Sequence, residues 1–243
     1  MLWFSLYDHK EYKSNDKPFV DMSAYKGIND LQNRWEHIFN EFKNYSNINT
    51  IESHFNTMMV EKPKSWRVRS LRVWGTEMYD VQKHFPETMK LLNAIPNVVS
   101  MGFNILEPNS KIKPHSGDTN AIYRCHLGLQ IPQDYNACAI KVLEDERHWT
   151  KGKVIGFEDA FKHEAWNNSN ETRIILLFDV LKPEFAEQKN KICATILASF
   201  YLQQVGNIIP KLYEVDRRFF KFLLFPFVLF LKLAIPIRNR LKK

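Results

Sequence analysis

Between residues 98 and 180 the chain is a succession of short apolar runs, at 98–106, 112–115, 122–131, 138–143, 153–157, 164–166 and 173–180. Turn residues separate them, at 108–110, 116–118, 132–134, 151–153 and 167–170. Several short strands at such spacing with no helical stretch between them predict a sandwich or jelly roll. Ahead of them, residues 66–75 alternate apolar with polar, the pattern of a strand with one wet face. Helical periodicity takes over on either side. Leu31, Trp35, Ile38, Phe39 and Phe42 fall on one face of a helix over 30–42, and Pro86 opens a second one over 86–94 that carries Met89, Leu91 and Leu92. After Pro183 the period returns over 184–205 with Phe185, Ile192, Ile196, Phe200 and Leu202, and no internal repeat is visible. The expected architecture is mainly β with helical flanks. A helical flank over 1–65 covers one face of a sheet, a β domain fills 66–183, a helix follows over 184–210, and a basic, hydrophobic segment occupies 211–243.

That last segment changes how the charge is read. The formal net charge of +7 suggests nucleic acid until its distribution is considered, for residues 211–243 hold nine basic and two acidic side chains and so carry all of it. The remaining 210 residues are neutral overall, which speaks against a nucleic-acid surface on the β domain. Residues 222–231 contain no polar side chain, and apolar character resumes over 233–237. A bilayer core of about 30 Å needs roughly 20 apolar residues as a helix, so this run is too short to span, and Lys221, Lys232, Pro226 and Pro236 interrupt any longer count. A monotopic or re-entrant anchor on a membrane surface is expected, with lysines and arginines toward anionic headgroups. The rival reading is that these phenylalanines are covered by the β domain or by a second copy.

Composition adds bounds. A hydrophobic fraction of 44% with 14% aromatics fills a core, and 8 glycines with 11 prolines are too few for a low-complexity chain. Three cysteines, Cys125, Cys138 and Cys193, with no CxxC spacing argue against a disulfide framework or a thiolate zinc site and point to a reducing compartment. The first eight residues have no basic region, and Asp8 cuts the apolar run early, so no export signal is expected and the cytoplasmic face of a membrane is the expected location.

The chemistry concentrates in two stretches. Residues 114–129 contain His115, Gly117, Asp118, Arg124 and His126; residues 157–166 contain His163, followed ten residues later by Arg173 on an apolar strand. Neutral imidazoles bind transition metals and a guanidinium fork binds carboxylates, so this set suggests a metal beside a carboxylate ligand. Strand alternation places Arg124 and His126 on one face and Cys125 and Leu127 on the other. His115 precedes a tight turn and His163 starts a short strand, both positions at the mouth of a barrel, where jelly rolls of the cupin kind hold metals. Taken singly, a histidine on an apolar strand is more often a core residue with one hydrogen bond than a ligand. His9, His37, His54, His84 and His148 are read as surface or packing residues, and Trp149, Phe157 and Trp166 as core. Glu158 and Asp159 are read as solvating a turn or fixing the His163 loop, where a hydrogen bond to a ligand imidazole is open to them.

The segments PHSGDTNAIYRCHLGLQIP and WTKGKVIGFEDAFKHEAWNNSNETRIILLFDV resemble the aspartyl/asparaginyl β-hydroxylase family of iron(II)- and 2-oxoglutarate-dependent oxygenases, over about 66–183. The resemblance implies a cupin-like double-stranded β-helix. It also implies that His115 and His163 bind iron, that Arg173 clamps the distal carboxylate of 2-oxoglutarate, and that Arg124 and His126 hold this cosubstrate from the neighbouring strand. Where the family can use a serine toward the cosubstrate, eleven residues before His115, this chain has Asn104. Gly117 stands where other non-haem iron oxygenases carry a carboxylate, as in members of this family that let water complete the coordination; Asp118, one residue on, is the rival ligand. Oxygen is the third reactant implied. The substrate side is open to a peptide aspartyl or asparaginyl side chain, a fatty-acyl chain as in similar-looking bacterial lipid A 2-hydroxylases, or a small amphiphile. Two other functions stay in view: a chain that binds metal or ligand without turnover, and a membrane adaptor on the same fold.

Overall fold

The computed structural model describes residues 1–6, 11–209 and 217–242. In chain order its elements are β1 (Phe19–Val20), α1 (Ile28–Asn33), α2 (Trp35–Ser46), β2 (Trp66–Val73), β3 (Thr76–Glu77), α3 (Tyr79–Gln82), α4 (Pro86–Ala94), β4 (Val98–Leu106), β5 (Ser110–His115), β6 (Ile122–Gln130), β7 (Cys138–Val142), β8 (Asp145–His148), β9 (Val154–Glu158), β10 (His163–Asn167), β11 (Arg173–Leu181), α5 (Lys189–Ile208) and α6 (Arg217–Leu241). Seven strands form one sheet in the order β1-β9-β6-β11-β4-β2-β3, and four form the other in the order β5-β10-β7-β8. The described pairings are antiparallel. From β4 to β11 the chain crosses between the sheets at every connection except the β7–β8 hairpin, which is the jelly-roll connection, and the fold is the cupin-like double-stranded β-helix expected.

Side chains from both sheets meet in one inner core: Leu106, Phe157 and Ile175 from the larger, Ile112, Ile140, Val142 and Ala165 from the smaller. The outer face of the larger sheet is covered as well. There Ile38 and Phe42 of α2 and Leu92 of α4 lie on Phe103, Cys125, Leu127, Leu176 and Phe178. Every position of β4 is therefore buried, and eight of nine in β11, which is why both read in the sequence as mainly apolar runs without alternation, broken only by Ser100, Asn104, Arg173 and Asp179.

Three differences from the sequence reading have local causes. The helix expected over 30–42 is two helices that meet at Arg34, whose backbone leaves the helical region at φ −109° and ψ 15°. The first turns expected of the helix over 184–205 are a tighter 3-10 turn over Pro183–Gln188, and α5 begins only at Lys189. β8 was absent from the expected strands because Asp-Glu-Arg-His offers no apolar face; it is an edge strand, paired on one side to β7.

α5 and α6 close one end of the barrel, burying Ile192, Ile196 and Leu231 against Trp74, Val99, Ile122 and Leu181. The far end of α6 is pinned to the turn between β2 and β3: Asn239 donates to Gly75 O (2.7 Å), Arg238 to Glu77 O (3.0 Å), and Glu77 N–H donates to Asn239 Oδ1 (3.2 Å). Of the segment 211–243, residues 211–216 and 243 lie outside the described residues. No helix among the described residues is long and apolar enough to cross a membrane.

Candidate metal centre

Strand pairing brings together histidines that lie far apart in sequence. β10 and β5 run antiparallel with His163 opposite His115, so the two imidazoles stand side by side on the inner face with ring centroids 4.3 Å apart. Each ring is oriented the same way: His115 Nδ1 donates to Lys113 O and His163 Nδ1 to Phe161 O, both at 2.8 Å. With the proton committed to Nδ1, both Nε2 lone pairs are left for a metal, the tautomer that ligand histidines adopt. Burial pushes both imidazoles below their ordinary pKa, His163 further than His115, so both are neutral at pH 7 as ligation requires.

Asp159 stands beside them, its Oδ1 3.7 Å from His163 Nε2. Arg124 holds it with an ion pair of 2.7 Å from Nη1, and the rest of the same guanidinium grips Asp179 on β11 through Nε (2.8 Å) and Nη2 (3.0 Å). Burial alone would lower the Arg124 pKa, but these carboxylates hold it above its ordinary value; burial raises Asp159 to about 7. Gly117 explains itself here, because an added Cβ would run into the Asp159 carboxylate. Asp159 thus fills the space beside Gly117, but the described residues contain no group of three or more His, Cys, Asp or Glu side chains placed to hold a metal ion. Asp118 turns elsewhere, accepting from Ser5 Oγ at 3.3 Å.

The other half of the site lies on the larger sheet. In its β11–β6 register Leu177 stands opposite His126 and Asp179 opposite Arg124, while in the β11–β4 register Ile175 stands opposite Asn104. Arg173, Asn104 and His126 therefore share the inner face with Arg124, and Cys125 and Leu127 lie in the core on the other side. Arg173 is 1% exposed, yet no carboxylate among the described residues pairs with it, and its Nε has no hydrogen-bond partner. Its guanidinium lies over the Trp149 ring, 4.8 Å from the centroid, and burial lowers its pKa to about 10. Both ring nitrogens of His126 and Nε1 of Trp149 are also buried without partners. Asn104 Oδ1 accepts from Trp66 Nε1 at 2.9 Å; since the indole only donates, the Asn104 amide N–H groups are left for a ligand. A chamber of about 40 Å³, lined by both histidines together with Asn104, His126 and Arg173, joins a larger cavity of about 860 Å³ at Trp66, Asn104, His115, Arg124 and Leu177.

All six expected site residues line this chamber. Arg124 differs in that its guanidinium is already committed to two carboxylates. The sequence reading left out His54, which stacks on Trp66 at 3.7 Å and 9° between planes and lines the larger cavity, and it gave Trp149 no place under Arg173. His54 sits in a loop without periodicity, so no sequence signal marked it.

The donor set fits an iron centre with a dicarboxylate cosubstrate. Two imidazoles stand side by side with Nδ1 committed to backbone carbonyls, and a buried cation with no carboxylate partner among the described residues, beside several orphaned polar atoms, calls for an anionic partner. Residues 32–183 match the model of the family described as aspartyl/asparaginyl β-hydroxylase. The chain is 36% identical over 118 residues to an ornithine lipid ester-linked acyl 2-hydroxylase of Rhizobium tropici, covering 49% of this chain and 42% of that protein. It is 32% identical over 131 residues to the human aspartyl/asparaginyl β-hydroxylase, covering 52% of this chain and 17% of that one. The chain thus spans less than half the length of either relative. Among solved structures, a predicted oxalate decarboxylase of Thermotoga maritima aligns with TM-score 0.38 at 12% identity, over 57% of this chain and 97% of that one. A viral collagen prolyl hydroxylase in complex with 2OG, from Paramecium bursaria Chlorella virus 1, aligns with TM-score 0.33 at 12% identity, over 48% and 79%.

Proposed function

Because the chain belongs to the aspartyl/asparaginyl β-hydroxylase family, we propose that it is an iron(II)- and 2-oxoglutarate-dependent dioxygenase that hydroxylates an unactivated C–H bond. The substrate is a peptide Asp or Asn side chain or a lipid acyl chain, met at a membrane surface. The observation that carries the reading is Arg173, a buried guanidinium with no carboxylate partner among the described residues, in the chamber that both histidines line. A buried uncompensated cation is costly, and a bidentate carboxylate relieves that cost.

When bound, an iron–2-oxoglutarate centre couples decarboxylation of 2-oxoglutarate to succinate and CO2 with placement of one oxygen atom of O2 in succinate and the other in the substrate C–H bond. His115 and His163 hold the metal through Nε2. Arg173 receives the distal carboxylate, aided by His126 and the Asn104 amide, and Trp149 fixes the plane of the guanidinium. Arg124 acts at the metal end, where it holds Asp159 against the His163 side of the site. The apolar lining from Ile112, Ile140, Phe157 and Ile175 keeps bulk water from the chamber.

The membrane reading rests on α6. One face of that helix lies on the domain through Leu224 and Leu231; the opposite face exposes Phe222 (80%), Phe225 (66%), Leu229 (49%) and Leu233 (61%) at three- and four-residue intervals, with Phe230 (62%) beside them. Lys221, Lys232, Arg240 and Lys242 are exposed along the same helix and just beyond it, the charge complement of an anionic lipid surface.

Succinate formation from 2-oxoglutarate, with and without added iron(II), tests the proposal. Iron-dependent succinate release that is abolished in both His115→Ala and His163→Ala is expected. No release from the wild-type chain over a panel of lipids and Asp- or Asn-containing peptides would favour the reading in which the chain only binds metal or ligand.

A further inference from the structure

Three imidazoles stand around the junction of the chamber with the larger cavity, and one of them is set the opposite way. His115 and His163 donate from Nδ1 and keep a lone pair at Nε2. His54 accepts at Nδ1, from the backbone N–H of Asn56 at 3.2 Å, so its ring proton sits on Nε2. That N–H has no partner among the described residues, and unlike the ring nitrogens of His126 it is not buried. The position of the ring is fixed by its own backbone. Residues 52–54 add to the edge of β2, with Ser53 opposite Arg67, His54 N donating to Trp66 O (2.8 Å) and Val68 N to Glu52 O (2.9 Å). Asn56 caps a 3-10 turn over Thr57–Met59 by accepting from Met58 N, which holds its own N–H against the imidazole. The ring lies flat on Trp66, and Trp66 in turn donates to Asn104 in the chamber. A single indole therefore separates the His54 donor from the side chain that faces the cosubstrate.

Resting on the oxygenase reading above, we infer that His54 orients the substrate: its Nε2–H donates to an uncharged carbonyl oxygen of the molecule that is hydroxylated. A ligand role toward the metal is closed to it, since Asn56 occupies the Nδ1 lone pair and Nε2 carries the proton. The other charged groups of this cavity wall are committed elsewhere: Arg124 to Asp159 and Asp179, Arg72 to Glu77, Arg238 to Glu77 O, and Asp118 to Ser5. Glu52 is the exception. It lies two residues before His54, on the same side of the extended segment, and its carboxylate has no partner among the described residues. A substrate carboxylate set against a neutral donor beside Glu52 would stay uncompensated, whereas a carbonyl oxygen leaves water at little cost once it accepts one hydrogen bond. Amides and esters both offer that oxygen, so His54 reads the functional group in a peptide and in a lipid alike.

Nitrogen NMR of the full-length chain with isotopically labelled histidine tests this without turnover, with zinc(II) and 2-oxoglutarate present and again without either. The His54 signals are those that vanish in His54→Gln. They should show the proton on Nε2, the reverse of His115 and His163. N-methylacetamide and methyl acetate, an amide and an ester carbonyl, should each shift the His54 Nε2 signal saturably, and acetate at the same concentration should not. In His54→Phe, which keeps a ring on Trp66, binding of both carbonyl probes followed by saturation transfer should weaken about fivefold, the worth of one neutral hydrogen bond. His54→Gln, which restores an amide N–H near the Nε2 position, should recover most of it. A His54 proton on Nδ1, no shift with either carbonyl probe, an equal shift with acetate, or equal binding in wild type and His54→Phe would each overturn the proposal. Zinc and 2-oxoglutarate that left the His115 and His163 signals unmoved would count against the oxygenase reading instead, and the metal-free spectra would still decide the role of His54.

Discussion

At the scale of single residues the site turns on a substitution in space. Gly117 and Asp159 occupy one volume between them, so the side chain absent at the first position makes room for the carboxylate of the second. Gly117→Ala should displace Asp159, loosen its ion pair with Arg124 and cost about 1–3 kcal/mol, the usual penalty of overpacking. A thermal melt and an iron titration check it; Gly117→Ala combined with Asp159→Gly should recover most of the melting temperature while iron affinity stays low. Recovery of iron affinity in the double variant would show that Asp159 does not serve the metal side of the site. This pairing also marks what the sequence disclosed. The grouping of His115, His163 and Arg173 was legible through their joint occurrence with Arg124 and His126 in two long segments that resemble the hydroxylase family, since a histidine on an apolar strand taken singly has a bland explanation, and the structure brings the three to one chamber. Asp159 was read as a loop carboxylate, since the contact with position 117 is made by a turn closing over another and leaves no periodic trace. Arg124 was placed on the correct face by alternation, yet its commitment to Asp179 depends on the β6–β11 register, which a sequence does not print.

Among elements, the strands were legible and their partners were not. Burial on both faces of β4 and β11 wrote mainly apolar, non-alternating runs into the chain, and the turn residues fixed their ends to within a residue or two. That β5 pairs with β10, bringing His115 opposite His163, follows from barrel closure alone. The segment before β2 shows the reverse case: 47–59 has no pattern, yet it lays His54 on Trp66 at the cavity wall. Burial lowers the His54 pKa to about 4 from 6.5. A histidine depressed in the folded state contributes stability that is complete above its unfolded pKa of about 6.5 and is lost as pH falls toward 4. Between pH 7 and 5.5 this one group should remove about 1 kcal/mol. Denaturant melts of metal-free wild type and His54→Phe, which keeps a ring on Trp66, should diverge over that interval, the variant losing less. Parallel losses would place His54 in water.

For the molecule as a whole, the arrangement is directional. The helices α1, α2 and α4 seal the outer face of the larger sheet, the smaller sheet closes the inner core, and α5 with α6 cover the remaining end with an apolar surface turned outward. Residues 211–243 were read as an anchor from composition, and the rival reading, cover by the domain itself, accounts for one face of α6 and leaves the other bare. Removing the helix would strip Leu224 and Leu231 from their contacts, so the sharper test alters the outer face alone. Phe222→Ser, Phe225→Ser and Leu233→Ser together should abolish co-sedimentation with vesicles containing phosphatidylglycerol, with the melting temperature changed little. Lys221→Gln with Lys232→Gln should weaken it by about 1 kcal/mol per charge and flatten its salt dependence. Binding untouched by either set would return α6 to a protein partner.

The central claim is that His115, His163 and Arg173 make one site for iron and 2-oxoglutarate. Anaerobic calorimetry of 2-oxoglutarate binding to the full-length chain tests it most directly, because turnover and substrate do not enter. Binding should require iron(II), vanish in His163→Ala, and weaken by about tenfold or more in Arg173→Lys, which loses the bidentate pair. Equal affinity with and without the metal, or in wild type and Arg173→Lys, would contradict the account.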